Sequence, residues 1–187
     1  MRLIADTHAH TIASGHAYSS LKEMAYAASK NGLEVLSLTE HAPQMPGSCQ
    51  EIYFRNFNVI PREMHGVKLL LRTELNIMNP DDGRFPVDYE VLVQTAKETK
   101  TLLEINNSSL RPDGFRKNTR ENVLQMLELC KQYEVCVTTG SDAHIDVDAG
   151  NFSYIKEVLE FCKFPEELVV TTDFNKLKEF LNNYKES

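Results

Sequence analysis

The sequence predicts an α/β fold with parallel strands, and three observations predict it. Short apolar runs of strand length alternate with longer stretches whose apolar residues recur at helical spacing. Several of the strand-like runs end in histidine or a carboxylate, as expected where parallel strands deliver a site to one sheet edge. The 187 residues contain no internal repeat, low-complexity tract or Gly/Ser linker, so one domain over residues 1–187 is expected.

The first strand is read at residues 2–6, running on into His8 and His10. A helix follows: Ser20 and Glu23 have capping-box spacing, Leu21, Met24, Ala25 and Ala28 form its apolar face, and Asn31-Gly32 stops it. The second strand, residues 34–38, leads to Thr39-Glu40-His41. Residues 50–64 resist assignment because Pro61 interrupts any helix there. A third strand at 67–71 ends in Arg72-Thr73-Glu74. A helix at 87–100 precedes a strand at 102–106. Asn118 and Glu121 are placed to cap a helix running through Tyr133, with Val123, Leu124 and Leu127 inward. Residues 135–139 form a strand leading to Gly140-Ser141-Asp142-Ala143-His144, and helices at 153–163 and 173–184 flank a short strand at 168–170.

Six histidines carry most of the functional signal. Residues two apart on a strand face the same side, so His8 and His10 project together, as do Asp142 and His144 if strand geometry persists that far. His41 and Glu74 end the second and third strands, and His16 lies in the loop leaving the first. Seven potential ligands thus share the C-terminal edge of a parallel sheet. His65 precedes the third strand, at the opposite edge, and is assigned to the surface. Histidine with carboxylate suits zinc, manganese or iron.

Composition narrows the alternatives. A net charge of −7 argues against a general nucleic-acid binder, because phosphate backbones recruit basic surfaces. Cys49, Cys130, Cys136 and Cys162 form no Cys-x-x-Cys pair and read as reduced thiols. Asp6 interrupts the N-terminus before a signal-peptide apolar region develops, and no apolar run approaches membrane-spanning length. A soluble cytoplasmic protein without a membrane partner is expected.

The segment Asp6-Thr7-His8-Ala9-His10-Thr11 resembles the opening motif of PHP (polymerase and histidinol phosphatase) domains. The similarity continues through Ala13 to Ser19, Leu38-Thr39-Glu40-His41, Arg72-Thr73-Glu74-Leu75-Asn76, Leu103 to Ser109 and Gly140 to His144. The resemblance is greatest to stand-alone phosphatases with a trinuclear zinc site. It implies a distorted (β/α)7 barrel with metals at the C-terminal rim. One metal would take His8, His10, Glu74 and Asp142; Glu74 would bridge to a second; a third would take His16, His41 and His144. Two further strand–helix units, each bringing a histidine to the second metal, are expected after the third strand. Here Asn76-Ile77-Met78-Asn79 runs directly into Pro80-Asp81-Asp82-Gly83, as though a segment near 79–80 were deleted.

The resemblance therefore implies a phosphomonoesterase with two to three divalent ions, acting on a small phosphorylated substrate through metal-bound hydroxide. No catalytic side chain is nominated. Arg62 is the candidate for holding substrate phosphate by its planar fork, and Arg111, Arg116, Lys117 and Arg120 form a local basic cluster. Two alternatives remain: a metal-binding relic with impaired catalysis, suggested by the missing units, and an amidohydrolase-like hydrolase, which also opens with His-x-His. The sequence does not specify the oligomeric state.

Overall fold

The computed structural model describes residues 1–75, 87–114 and 116–181. Its central strands are β1 (Ala5–Ala9), β2 (Val35–His41) and β4 (Val67–Glu74), all parallel, with a two-residue strand β3 (Glu63–Met64) antiparallel to β4 at the edge. The order is β1-β2-β4-β3, and β5 (Leu103–Asn106) and β6 (Val137–Gly140) form a separate parallel pair. That pair is tied to β1 by backbone bonds: Asp142 N–H donates to the His8 carbonyl at 2.8 Å and His10 N–H to the Ala143 carbonyl at 2.9 Å. Lower down, Ile4 N–H donates to Thr171. The result is a mixed α/β fold with parallel sheets; among the described residues the strands do not close into a barrel.

Local sequence explains most elements. Helix α1 (Leu21–Lys30) starts with the expected capping box, Ser20 Oγ accepting from Glu23 N–H and the Glu23 carboxylate accepting from Ser20 N–H at 2.7 Å. Its Met24, Ala25 and Ala28 are buried in one apolar cluster with Leu36, Leu38, Leu69 and Ile105. Removing that apolar surface from water is what presses α1 on the sheet. The β3–β4 hairpin turns through His65 and Gly66 alone, both at positive φ (53° and 77°), the geometry of a type I′ turn. His65 is exposed there, at the edge away from the other histidines, as expected.

Several elements depart from expectation. β1 begins at Ala5, three residues late, because Ile4 bonds outward to Thr171 and residue 34 instead. Helix α2 (Glu51–Arg55) and a 3₁₀ turn at Phe57–Val59 occupy the stretch left unassigned. Helix α3 (Tyr89–Thr99) starts later than position 87, because Asp88 caps it by accepting from Glu90 and Val91 N–H. Asn118 does not cap α4 (Thr119–Tyr133) through its side chain; its backbone sits at φ 56°. The expected strand at 168–170 is a single bridge, Val137 to Val169, between two 3₁₀ turns. Helix α5 (Ser153–Phe161) is slightly shorter than expected, and α6 (Phe174–Lys178) covers the described part of the final helix. The suspected junction near 79–80 lies outside the described residues. Among the described residues no helix is long and apolar enough to cross a membrane.

Candidate metal centre

The parallel register brings the C-terminal ends of β1, β2 and β4 together: His41 and Glu74 are register partners at the last step of β2 and β4. His8 lies on β1 and His10 just beyond it, facing the same way. Asp142 and His144 follow β6, and Asp142 adopts a left-handed backbone (φ 56°) at the point where the chain turns onto β1. His16 enters from the loop after the 3₁₀ turn Ile12–Ser14.

All seven expected ligands meet. Glu74 Oε2 is 3.3 Å from His8 Nε2, 3.3 Å from His10 Nε2 and 3.1 Å from His41 Nδ1. Asp142 Oδ1 lies 3.6 and 3.4 Å from the same two Nε2 atoms. His8 and His10 face each other Nε2 to Nε2 at 3.1 Å, and His16 and His144 do so at 2.8 Å. The rings of His10 and His41 stack at 4.6 Å, and those of His16 and His41 at 4.9 Å. Two groups offer ligand atoms within 4.8 Å of one another: His8 with His10 and Glu74, and His10 with His41 and His144. His10 thus stands between the two groups.

What aims the nitrogens of His8, His10, His16 and His144 inward is the partner on the other side of each ring. His8 Nδ1 faces both oxygens of Glu104 at 2.9 and 3.0 Å. His16 Nδ1 faces the Ser14 carbonyl at 3.1 Å and His144 Nδ1 the Asp142 carbonyl at 2.9 Å. Oxygens of these kinds only accept, so each Nδ1 carries the proton and each Nε2 presents a lone pair. His10 reaches the same state through a relay. Ser14 Oγ donates to the buried Glu40 at 2.6 Å and accepts from His41 N–H at 3.2 Å, so it accepts from His10 Nδ1 at 3.0 Å. Opposed lone pairs at 2.8 and 3.1 Å repel unless a proton or a metal ion sits between them. Two nitrogens on one tetrahedral zinc, each at roughly 2.05 Å, are roughly 3.3 Å apart. The donor set therefore fits divalent metal ions.

Proton affinities follow the same field. Burial pulls His8 down, but hydrogen bonds to Glu104 and Glu74 and the charges of Glu104 and Asp142 outweigh it, raising its pKa to about 10. His10 is raised for the same reason, against burial, by Asp142 and Glu74. His41 and His144 are lowered, first by burial. Against their burial, Glu74 and Asp142 are held below the usual carboxylate range by the imidazoles beside them. A divalent cation uses the same field and competes with these protons.

Arg62 is not brought to this cluster. Its carbonyl accepts from Leu69 N–H at 2.7 Å, five residues before Glu74, or roughly 16 Å along the strand. The basic cluster after β5 is largely engaged locally: Arg111 with Asp113 at 3.0 Å, Arg120 with Glu157 at 2.9 Å, and Arg116 with Ser109. Sequence reasoning missed Glu104, Glu40, Ser14 and Asp6 as supports. Asp6 is fully buried and accepts from the backbone N–H of His8, Ser141 and Gly150, joining the two loops beside the cluster. Period-two reading of β5 could have found Glu104, which shares a face with Asn106; Asn106 in turn donates to Asp142 at 3.2 Å. Gly140 was quoted only within a motif, yet a Cβ there would lie 2.4 Å from His8 Cβ and 2.9 Å from Glu104 Oε1.

Parallel α/β architecture with a histidine–carboxylate cluster at the strand ends defines a metal-site protein of the kind that barrels and open sheets build at that edge. The PHP domain family matches residues 6–185, and the chain belongs to that family. A probable phosphatase of Caldicellulosiruptor saccharolyticus is 32% identical over 234 aligned positions, covering 97% of this chain and 97% of the relative. Another, of Clostridium botulinum, is 34% identical over 236 positions, covering 98% and 96%. Both alignments are longer than the 187 residues of this chain, so they carry gaps on its side. The solved histidinol phosphate phosphatase of Lactococcus lactis, complexed with zinc, L-histidinol and phosphate, has the same fold: TM-score 0.56, 16% identity, covering 86% of this chain and 94% of that one.

Two predictions follow from this geometry. Zinc added to metal-free protein at pH 7 is expected to release at least about one proton per chain, since His8 must lose its proton to bind. The release should shrink, and affinity rise, as pH climbs towards 10. Calorimetry in two buffers of different ionisation heat measures this; zinc uptake with no released proton contradicts it. Gly140→Ala should weaken zinc binding about 10–100-fold by displacing His8 and Glu104, while far-UV circular dichroism stays unchanged. An unaltered zinc affinity would remove the role given to that close approach.

Proposed function

We infer that this chain is a metal-dependent phosphoesterase that hydrolyses small phosphomonoesters. One observation carries the reading: five imidazoles and two carboxylates converge, with four of the rings pre-aimed by acceptors behind them. Family membership and relatives named as probable phosphatases support the reaction class, and the zinc in the Lactococcus lactis structure supports the metal. His8, His10, Glu74 and Asp142 hold one ion, and His16, His41 and His144 another, with Glu74 facing both groups. Zinc is the metal favoured by this donor set, manganese and iron being the alternatives. Bound ions supply Lewis acidity towards phosphoryl oxygens and a lowered pKa for a coordinated water. The chain's own part is to hold His8, His10, His16 and His144 in one tautomer each and to fix the cluster through Glu104, Glu40 and Asp6.

The domain is read as single, residues 1–187, and shorter than its relatives by a segment near 79–80. Alignments longer than the chain support a shorter chain, and the placement near 79–80 rests on the motifs flanking that point. The gaps those alignments carry favour a second reading, a metal-binding relic, because the second metal, the one Glu74 would bridge to, keeps Glu74 alone among the ligands the family resemblance assigns to it. Phosphate release from an aryl phosphate separates the two. The enzyme reading expects turnover that chelation abolishes and zinc restores, with Glu104→Gln about 10–100-fold slower. Tight zinc binding without hydrolysis of any phosphate ester establishes the relic.

A further inference from the structure

Beside the metal cluster, between the turn after β5 and the loop leading into α5, lies a cavity of about 240 Å³. Asp142 belongs to both: it lines this cavity and its Oδ1 faces His8 and His10. The remaining walls are polar, formed by Asn107, Ser108, Arg111, Asp148, Asn151 and Tyr154 among others, with no aliphatic side chain. Small-molecule sites are usually lined by apolar groups with a few polar ones, so this lining is unusual and informative.

Buried hydrogen bonds hold its walls in place. Asn107 is 4% exposed, and its side-chain oxygen accepts from Tyr154 N–H at 3.0 Å and Ile155 N–H at 3.2 Å, pinning the first turn of α5. The buried Asp6 clamps Ser141 to Gly150 by accepting from both N–H groups at 2.9 Å. The cavity is therefore pre-formed, and it shares Asp142 with the metal cluster.

Charge decides what it takes. The guanidinium of Arg111 is already forked onto Asp113 at 3.1 and 3.0 Å, while Asp148 adds a carboxylate to the wall beyond Asp142, which the metal takes up. A second anionic group on the substrate would meet Asp148, with the one guanidinium of the lining already engaged. Amides, hydroxyls and carboxylates suit hydroxyl groups, which both donate and accept. We propose that this cavity is the leaving-group site and takes a small hydroxyl-rich alcohol, so that the substrates are polyol or sugar monophosphates. The proposal rests on the phosphoesterase reading above.

Two measurements on the zinc-loaded full chain test it. First, kcat/KM is compared for glycerol 3-phosphate, ribose 5-phosphate, 3-phosphoglycerate and phenyl phosphate. The two polyol phosphates are expected to exceed the other two by at least about tenfold, because a site built for hydroxyls penalises analogues lacking them. Ser108→Ala and Tyr154→Phe should lower the polyol values several-fold and leave phenyl phosphate nearly unaffected. Second, free ribose is titrated against the labelled protein, and amide shifts are expected at Asn107, Ser108, Asn151 and Tyr154. Preference for phenyl phosphate or 3-phosphoglycerate, or equal losses on all substrates, overturns the proposal. Hydrolysis with no ribose shifts at these residues also overturns it and leaves the phosphoesterase standing. Ribose shifts there without any hydrolysis support the cavity as a polyol site and sink the phosphoesterase.

Discussion

The structure depends on one electrostatic constraint: ring nitrogens whose outer sides are tied to acceptors must present their lone pairs to a common interior. Glu104 behind His8, the Ser14–Glu40 relay behind His10, and carbonyls behind His16 and His144 leave little choice of tautomer. Glu74 and Asp142 add negative charge to the same interior. A group of acceptors this close is costly unless something positive neutralises it. Protons can serve, as the raised His8 and His10 show, and divalent ions serve better because each satisfies several donors at once.

The fold exists, for this purpose, to align strand ends. The one-to-one register of β2 and β4 puts His41 opposite Glu74. The left-handed turn at Asp142 returns the chain from β6 onto β1 and sets Asp142 against both β1 histidines. Asp6, buried at the base, ties the segments after β6 and before α5 to the first strand. Core packing by Met24, Leu36, Leu38 and Leu69 holds these strands at fixed spacing, so small displacements in the core reach the site.

Much of this was legible in the sequence because strand periodicity is a local property. His8 with His10, and His41 and Glu74 at strand ends, follow from counting residues. The supports were not legible for the opposite reason. Glu104 meets His8 across 96 positions and Ser141 meets Asp6 across 135, and nothing local announces either pairing. Arg62 is a candidate from sequence for its planar fork alone, whereas the tight His65–Gly66 hairpin sets its backbone beside Leu69, well before the C-terminal end of β4. The expected strand at 168–170 is reduced to one bridge by 3₁₀ turns on either side. Asn106 both holds a turn at Ser109 and steadies Asp142.

The central claim is that these seven side chains hold metal. Elemental analysis of the purified chain, prepared without added metal, tests it most directly when run beside a His144→Ala variant. Two or more transition-metal ions per chain, with fewer in the variant, are what the account predicts. A metal-free protein, or one whose content is the same in the variant, would contradict it.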